Sequence, residues 1–547
     1  MRSAWHSVLL GLLLAAPGAR ADDDLCSRLD LEEVAAKAGL DFVHVSGKSS
    51  ARHLPESMGS GAAWLDYDGD GWLDLYLVQA GEFPPSGSKR STNRLYRSLS
   101  GRAFEDVTLV AGVGDRGYGQ GAVTGDLDGD GDPDLVVTNF GPDVILINRG
   151  NGSFERRDLE NSADWSASAA LADVDGDGDL DLYVTSYVEY DLGEVPQCFD
   201  TSGAGKRYCD PSLFHGAIDR LYLNDGDGFF ADASASLPAA ALSGRGLGVV
   251  MVDLDGDLAP EIYVANDLTP NTLLVNDGHG HFEDTSVFSG AAVNRQGRSE
   301  AGMGVAVADI DGDLDPDLAV TNFDVETNTL YENLGAGDFR DVSAIVGFGP
   351  PSLNLLGFGL VALDLDLDGD LDFWVANGHI FDRPNRDNTT HAQPSQVLIN
   401  ERGRFRAASC EAPWGEPLVA RGSAAADYDN DGDADIVLQQ NDRGPRLVAN
   451  TSAAKSFVGL DILRTRSGSE AIGAVATLDS TGRRRRSWVT AGDSYQSASD
   501  RRQHFALVTD EVAQSIEITW RSGRRARYLD PPSNSYLRVV EPLGPSG

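Results

Sequence analysis

The chain has 547 residues, and 85 Asp and Glu against 44 Lys and Arg give it a formal net charge of −41 at pH 7. Acidity at that level excludes nucleic acid and anionic membrane as partners, because both repel it. Four cysteines, Cys26, Cys198, Cys209 and Cys410, permit two disulfides in an exported protein.

In chain order, Arg2 precedes the apolar run Val8 to Ala16, and Ala19-Arg20-Ala21 reads as a small-x-small cleavage site. These residues predict a secretory signal peptide over 1–21, and so a secreted, periplasmic or cell-surface protein. The run is too short to span a bilayer, and no later stretch is long and apolar enough to do so. Charge divides the rest of the chain. Residues 22–450 hold 28 Lys and Arg against 75 Asp and Glu (net −47), whereas 451–547 hold 14 against 10 (net +4). This asymmetry predicts two domains, 22–450 and 455–541, with a boundary near Asn450.

The first domain repeats one loop seven times, D-x-D-x-D-[G/L]-x-x-[D/E]. Its acids at positions 1, 3, 5 and 9 are Asp66, Asp68, Asp70 and Asp74, then Asp126, Asp128, Asp130 and Asp134. They continue as Asp173, Asp175, Asp177 and Asp181, then Asp253, Asp255, Asp257 and Glu261. The last three sets are Asp309, Asp311, Asp313 and Asp317; Asp364, Asp366, Asp368 and Asp372; and Asp427, Asp429, Asp431 and Asp435. A strand of small residues precedes each loop (GAAWL, GAVTG, SAALA) and an alternating apolar run comes after it (DLYLV, DLVVT, DLYVT). Two more strands joined by an Asn/Gly turn complete a repeat, as in Thr272–Thr285, TLLVNDGHGHFEDT. Four strands per repeat make a blade, and seven repeats predict an all-β, seven-bladed β-propeller. The small residues suit the crowded centre of such a radial array. The seventh repeat lacks a fourth strand. Leu31–Leu40 (LEEVAAKAGL) matches Phe104–Val113 (FEDVTLVAGV), so residues 30–40 are expected to close blade seven. That closure brings Cys26 near Cys410, while Cys198 and Cys209 bound a short loop of their own.

Calcium takes six to eight oxygens, and carboxylates at positions 1, 3 and 5 of a tight loop converge on one point. Position 9 adds a fourth acid. No Cys or His joins the clusters, which argues against zinc and copper, and magnesium demands stricter geometry. Up to seven structural Ca2+ ions are the expected cofactors. Position 6 is Gly in five loops but Leu258 and Leu314 in the fourth and fifth, which should be geometrically poorer sites.

These residues resemble the FG-GAP/VCBS repeats of integrin α-type propellers. A fuller likeness, to the cartilage acidic protein family with its ASPIC/UnbV domain, lies in Leu54–Asp74, Tyr263–Phe282, Met303–Phe323, Trp374–Ile380 and Arg421–Asp435. Toward the C-terminus Glu470–Ala474, Ala491–Leu507 and Ile518–Gly523 look like ASPIC/UnbV, with Ala506 and Arg521 as departures. Cys198 to Pro211 looks like the family's inserted two-cysteine loop, Asp210 standing where Gly is usual. The resemblance implies an extracellular calcium-binding protein with roles in adhesion or matrix contact.

The second domain reads as a small β-sandwich-like unit of short β runs. Its run Arg483–Arg486 is either a solvated hairpin tip or a contact for the acidic propeller or an acidic glycan. Sequons stand at Asn151, Asn388 and Asn450. His379, His391 and His504 form no nucleophile–base motif, so no catalytic residue is assigned and the protein is read as not an enzyme. The expected function is an extracellular binding or adhesion module for a protein or glycan, with ligands docking at the central channel or on loops such as Glu189–Ala217 and Ile380–Gln396. The alternatives are a polysaccharide-acting glycoside hydrolase or lyase, whose paired carboxylates the many acids would hide, and a purely structural envelope or matrix protein.

Overall fold

The structure, a computed structural model, describes residues 25–85, 91–160, 164–199, 205–382, 389–408, 410, 413–452, 456–464 and 468–543. The signal peptide over 1–21 and the sequon at Asn388 lie outside the described residues.

The chain is all-β and propeller-like. Among the described residues of 22–450 the strands fall into seven four-stranded antiparallel sheets and one small hairpin, Cys198–Phe199 with Lys206–Arg207, in the inserted loop. In the first, Ala62–Leu65 pairs with Asp74–Leu77, which pairs with Arg94–Ser98, which pairs with Phe104–Asp106. The next five repeat this order. In the seventh, the fourth strand is Leu31–Glu33, which pairs antiparallel with Arg446–Asn450. The first strands of consecutive sheets touch in chain order, and that of the seventh, Ala420–Ala426, touches that of the first, so the sheets form a ring. The disulfide Cys26–Cys410 ties the N-terminal strand to the sixth sheet's end, and Cys198–Cys209 closes the inserted loop.

The first strands are buried on both faces, as their small residues require. Gly61 shows why they are small. A Cβ there would stand 1.7 Å from the carbonyl oxygen of Gln496, far inside contact distance. Gln496 belongs to the second domain, whose two sheets are Phe457–Leu463 with Gln503–Ala506 and Tyr536–Val540, and a four-stranded one in which Val475–Ser480 pairs with Arg483–Trp488 and Ala513–Thr519, and the latter with Arg525–Leu529. One hydrophobic core runs without a break from Val136 and Leu182 of the ring to Ile516 and Trp520 of this domain.

Asparagine at the end of the third strand has a second role beyond the turn. The Nδ2 of Asn148 donates to the carbonyls of Tyr67, in the preceding sheet's loop, and Pro133, in its own. Asn224, Asn276, Asn333 and Asn400 make the same pair of bonds, and Asn450 reaches back to Leu365. Each is a strap between neighbouring sheets. In the first sheet the position is Ser98, too short to reach. Because Asn450 is 2% exposed and so engaged, its sequon is closed to glycosylation in the fold, whereas Asn151 is exposed.

Candidate functional site

The seven acidic loops lie on one face of the ring, each joining a first strand to a second. The first shows a geometry that the second, sixth and seventh repeat, while in the third to fifth position 1 accepts from position 4 in place of position 5. Asp66 accepts from the backbone N–H of Asp70 at 3.1 Å and of Gly71 at 2.9 Å, and Asp70 accepts from Trp72 at 3.0 Å. This curl requires left-handed backbone at positions 4 and 6, where Gly69 has φ 69° and Gly71 φ 86°. Leu258 and Leu314 take φ 75° and 79° at position 6, so the two leucine loops keep the same left-handed turn. They differ from the first loop in that Asp253 and Asp309 accept from the N–H of position 4, Gly256 and Gly312, in place of position 5, a difference the third loop shares although its position 6 is Gly178. What leucine itself adds is strain, about 1–2 kcal/mol for each L-residue held there.

Position 9 does more than the spacing predicted. In all seven loops one of its carboxylate oxygens accepts from the backbone N–H of position 2, at 2.7–3.3 Å. The other accepts from the last residue of the third strand, as Asp74 does from Ser98 at 2.7 Å and Asp435 from Asn450 at 2.8 Å. The acid therefore locks loop to blade while its remaining lone pairs face the cluster.

The clusters fit a cation. In the first five loops three carboxylates each bring an oxygen within 4.8 Å of one another, among them Asp66, Asp68 and Asp70, and Asp253, Asp255 and Glu261. At position 3, Asp68, Asp128 and Asp429 each have an Oδ1 that is buried and has no hydrogen-bond partner, a costly arrangement unless a cation faces it. Burial, with the neighbouring acids, pushes the carboxyls up: Asp66, Asp126, Asp309 and Asp427 to about 6, Asp74, Asp134 and Asp317 to about 8, and Glu261 to about 9. Without a metal Asp74, Asp134, Asp317 and Glu261 hold protons at neutral pH, and the groups raised to about 6 do so only below it; an all-oxygen donor set of this charge fits a hard dication in the protons' place.

The second domain covers this same face. Of the basic run, Arg483 donates to the carbonyls of Asp368 and Gly369 and pairs with Asp370, and Arg486 donates to the Leu314 carbonyl at 2.6 Å. Arg484 pairs with Asp479 on the exposed side of its own domain, and Arg485 pairs with Glu511 while lying beside Gly369 of the sixth loop. Arg464 reaches Gly178, Arg502 the Asp427 carbonyl and Asn430, and the Tyr536 hydroxyl donates to Asp427 Oδ2 at 2.9 Å. The run is thus a docking contact rather than a solvated tip.

The centre of the ring is filled by the chain itself. The segment 491–500 bridges Leu171, Val305 and Ala63 through Ala491, Ser494 and Ala498. Its Gln496 carbonyl accepts from Ala122, Ser494 Oγ from Leu360 and Ser499 Oγ from Ala425. One segment that touches six of seven first strands runs through the channel, so the channel is not open for a ligand. Sequence reading missed these residues because nothing local distinguishes AGDSYQSASD from a loop.

The ring's other face, the mouth, is where second strands end and first strands begin. There the connections of sheets three to six, with the segment Leu54–Met58 and the inserted loop, enclose a cavity of about 360 Å³. Tyr187 donates to Asp267 at 2.5 Å, and burial pushes the Asp267 carboxyl up to about 6. His379 Nδ1 accepts from the Phe381 N–H at 2.9 Å, which leaves Nε2–H facing Asp324 at 3.6 Å. His391 lies beside Asp382 at 3.5 Å, and its carbonyl accepts from the His379 N–H at 2.9 Å, while His504 is buried against Phe457 in the other domain, apart from both.

Residues 464–545 match the ASPIC and UnbV family, and residues 66–137, 126–184, 253–320 and 312–375 match the FG-GAP-like repeat. The chain is 26% identical over 519 residues to "Cartilage acidic protein 1" of Mus musculus, covering 89% of this chain and 74% of that protein. It is 26% identical over 379 residues to the Xenopus tropicalis protein of the same name, covering 64% of this chain and 55% of the other. Among solved structures an Agrocybe aegerita lectin that recognises non-reducing terminal N-acetylglucosamine is similar at 17% identity and a TM-score of 0.39, over 66% of this chain and 83% of that one.

Proposed function

As a relative of cartilage acidic protein 1 built from FG-GAP-like repeats and an ASPIC and UnbV domain, this chain is, we propose, a calcium-stabilised, seven-bladed β-propeller that acts outside the cytosol as a binding or adhesion module for a protein or glycan. One observation carries the choice of surface. The second domain covers the acidic-loop face and the segment 491–500 fills the centre, which leaves the mouth. Calcium would be held by the acids at positions 1, 3, 5 and 9 of each loop and would supply the positive charge that offsets them. Position 9 then transmits the loop's order to the third strand, and the strap asparagines carry it to the next sheet. The N-terminal run read as a signal peptide and the two disulfides support export to an oxidising compartment.

The mouth is read as a recognition surface and not as an active site. The test is a glycan and matrix-protein array probed with the full chain in calcium and in EGTA, beside a screen for polysaccharide cleavage. Calcium-dependent binding without turnover is the expected result. Turnover that survives purification would overturn it.

A further inference from the structure

The mouth cavity has a chemistry of its own. Its walls are apolar and aromatic: Tyr187, Phe323, Phe358 and Phe381, with Met58 and Met303 behind them. Its polar side chains are the carboxylates Asp267, Asp324 and Glu326, with Asp210 at the rim, against one guanidinium, Arg207, and one imidazole, His379. Glu326 accepts from the backbone N–H of Ala301 at 2.8 Å, and the charges nearest it are those of Glu300 and Asp267, which repel it. Asp267 accepts from the Tyr187 hydroxyl, with the Arg245 guanidinium acting on it from nearby, so Glu326 is the carboxylate whose closest charges all repel it. Burying carboxylates in an apolar pocket is costly unless a cation joins them.

The ring faces are also of the kind that take cations. The chain's own Arg207 stands 4.8 Å from the centre of Phe381, and Arg421 stands 4.1 Å from that of Phe358. Such contacts are favourable because the ring's quadrupole presents negative charge to the cation. The volume, near the lower end of the range for ligand pockets (about 300–1,000 Å³), fits a small molecule and not an oligosaccharide.

We propose that this cavity binds a small organic cation, an alkylammonium group whose charge faces Glu326 and Asp267 and whose carbon body lies against Phe323 and Phe358. The inference deepens the reading of the mouth as the binding face and names the class of ligand for it.

The test is a titration of the calcium-loaded full chain with choline and with its uncharged isostere 3,3-dimethylbutan-1-ol. Choline should saturate, and the isostere should bind at least about tenfold more weakly, since it lacks the charge and keeps the shape. Glu326→Gln, which retains an oxygen for the Ala301 N–H, should weaken choline about tenfold, whereas Glu105→Gln on the outer rim should not. Saturation-transfer NMR on the unaltered chain, with the isostere as competitor, gives the same answer if the variant fails to fold. Equal affinity for the two compounds, absence of choline binding, or full binding by a folded Glu326→Gln would each overturn the proposal. The titration needs no macromolecular partner. Saturable choline binding with a blank array overturns the binding-module reading alone, and array signal without choline binding overturns this one alone.

Discussion

The two faces of the ring are built by opposite rules. On the acidic-loop face one nine-residue motif recurs seven times, each loop is tied to its blade by the same position-9 bonds, and a basic domain lies over them. On the mouth, the second-strand ends still share one device, the N–H of Gln79, Asn139, Ser186, Asn266 and Asn322 donating to an Asn or Asp side chain, but the connections beyond them are of unequal length and the residues lining the cavity do not recur. Repetition marks what holds the molecule together, and irregularity marks where it can recognise something else.

Chelation tests this contrast most severely. Extracellular calcium sites bind at about 0.1–1 mM, so at tenfold excess each adds roughly 1.4 kcal/mol and seven add on the order of 10 kcal/mol. EGTA should collapse the melting temperature measured by circular dichroism; an unchanged value would place the ring's stability elsewhere.

The next effect is that of pH. Carboxyls raised to about 6 at Asp66 and about 8 at Asp74 bind protons in the fold that the unfolded chain has already lost. Their protonated form stabilises the metal-free fold below their unfolded values near 4, and that contribution disappears as pH rises through about 8. The metal-free protein should therefore be more stable at pH 5 than at pH 8 in urea titrations. With calcium the order should reverse, because protons compete for the same oxygens, and binding should release protons in calorimetry run in two buffers.

The centre can be broken by one methyl-bearing side chain. Gly61→Val drives into the Gln496 carbonyl and should cost about 3 kcal/mol in calcium, read as a lower urea midpoint. A tolerant Gly61 would show that the central segment yields. The smallest effect belongs to the strained loops: Leu258→Gly should gain about 1 kcal/mol by releasing the left-handed conformation, less whatever its contact near Gly523 contributes. No gain would show that packing already offsets the strain.

Legibility in the sequence divides along the same line. The strands and loops could be read because periodicity two and the spacing of acids are local, and the closing strand because Leu31–Leu40 copies a segment seen in full elsewhere. The strap role of Asn148 and its counterparts was hidden, since an asparagine beside glycine already has a sufficient local explanation as a turn. The channel segment was hidden for a different reason. The partners of Gln496, Gly61 and Ala122, are more than 370 residues away, and only the glycine of the first strands hints at something passing close by. The basic run could be seen, yet which of its arginines reach an acidic loop depends on what lies across from the strand Arg483–Trp488, with Arg483 and Arg485 beside Gly369, Arg486 at the Leu314 carbonyl and Arg484 exposed.

The filled centre also dictates the order of manufacture. A ribosome delivers this chain from its beginning, and the piece that belongs in the middle of the ring is among the last to emerge. Until residue 500 is out, six first strands lack their central neighbour, and the glycines and alanines that accommodate it line an empty shaft. The ring is completed from both ends of the chain, by Leu31–Glu33 at its rim and by Ala491 to Asp500 at its axis. A nascent chain cut short before its last domain would be a wheel without an axle, with its most tightly fitted surface exposed.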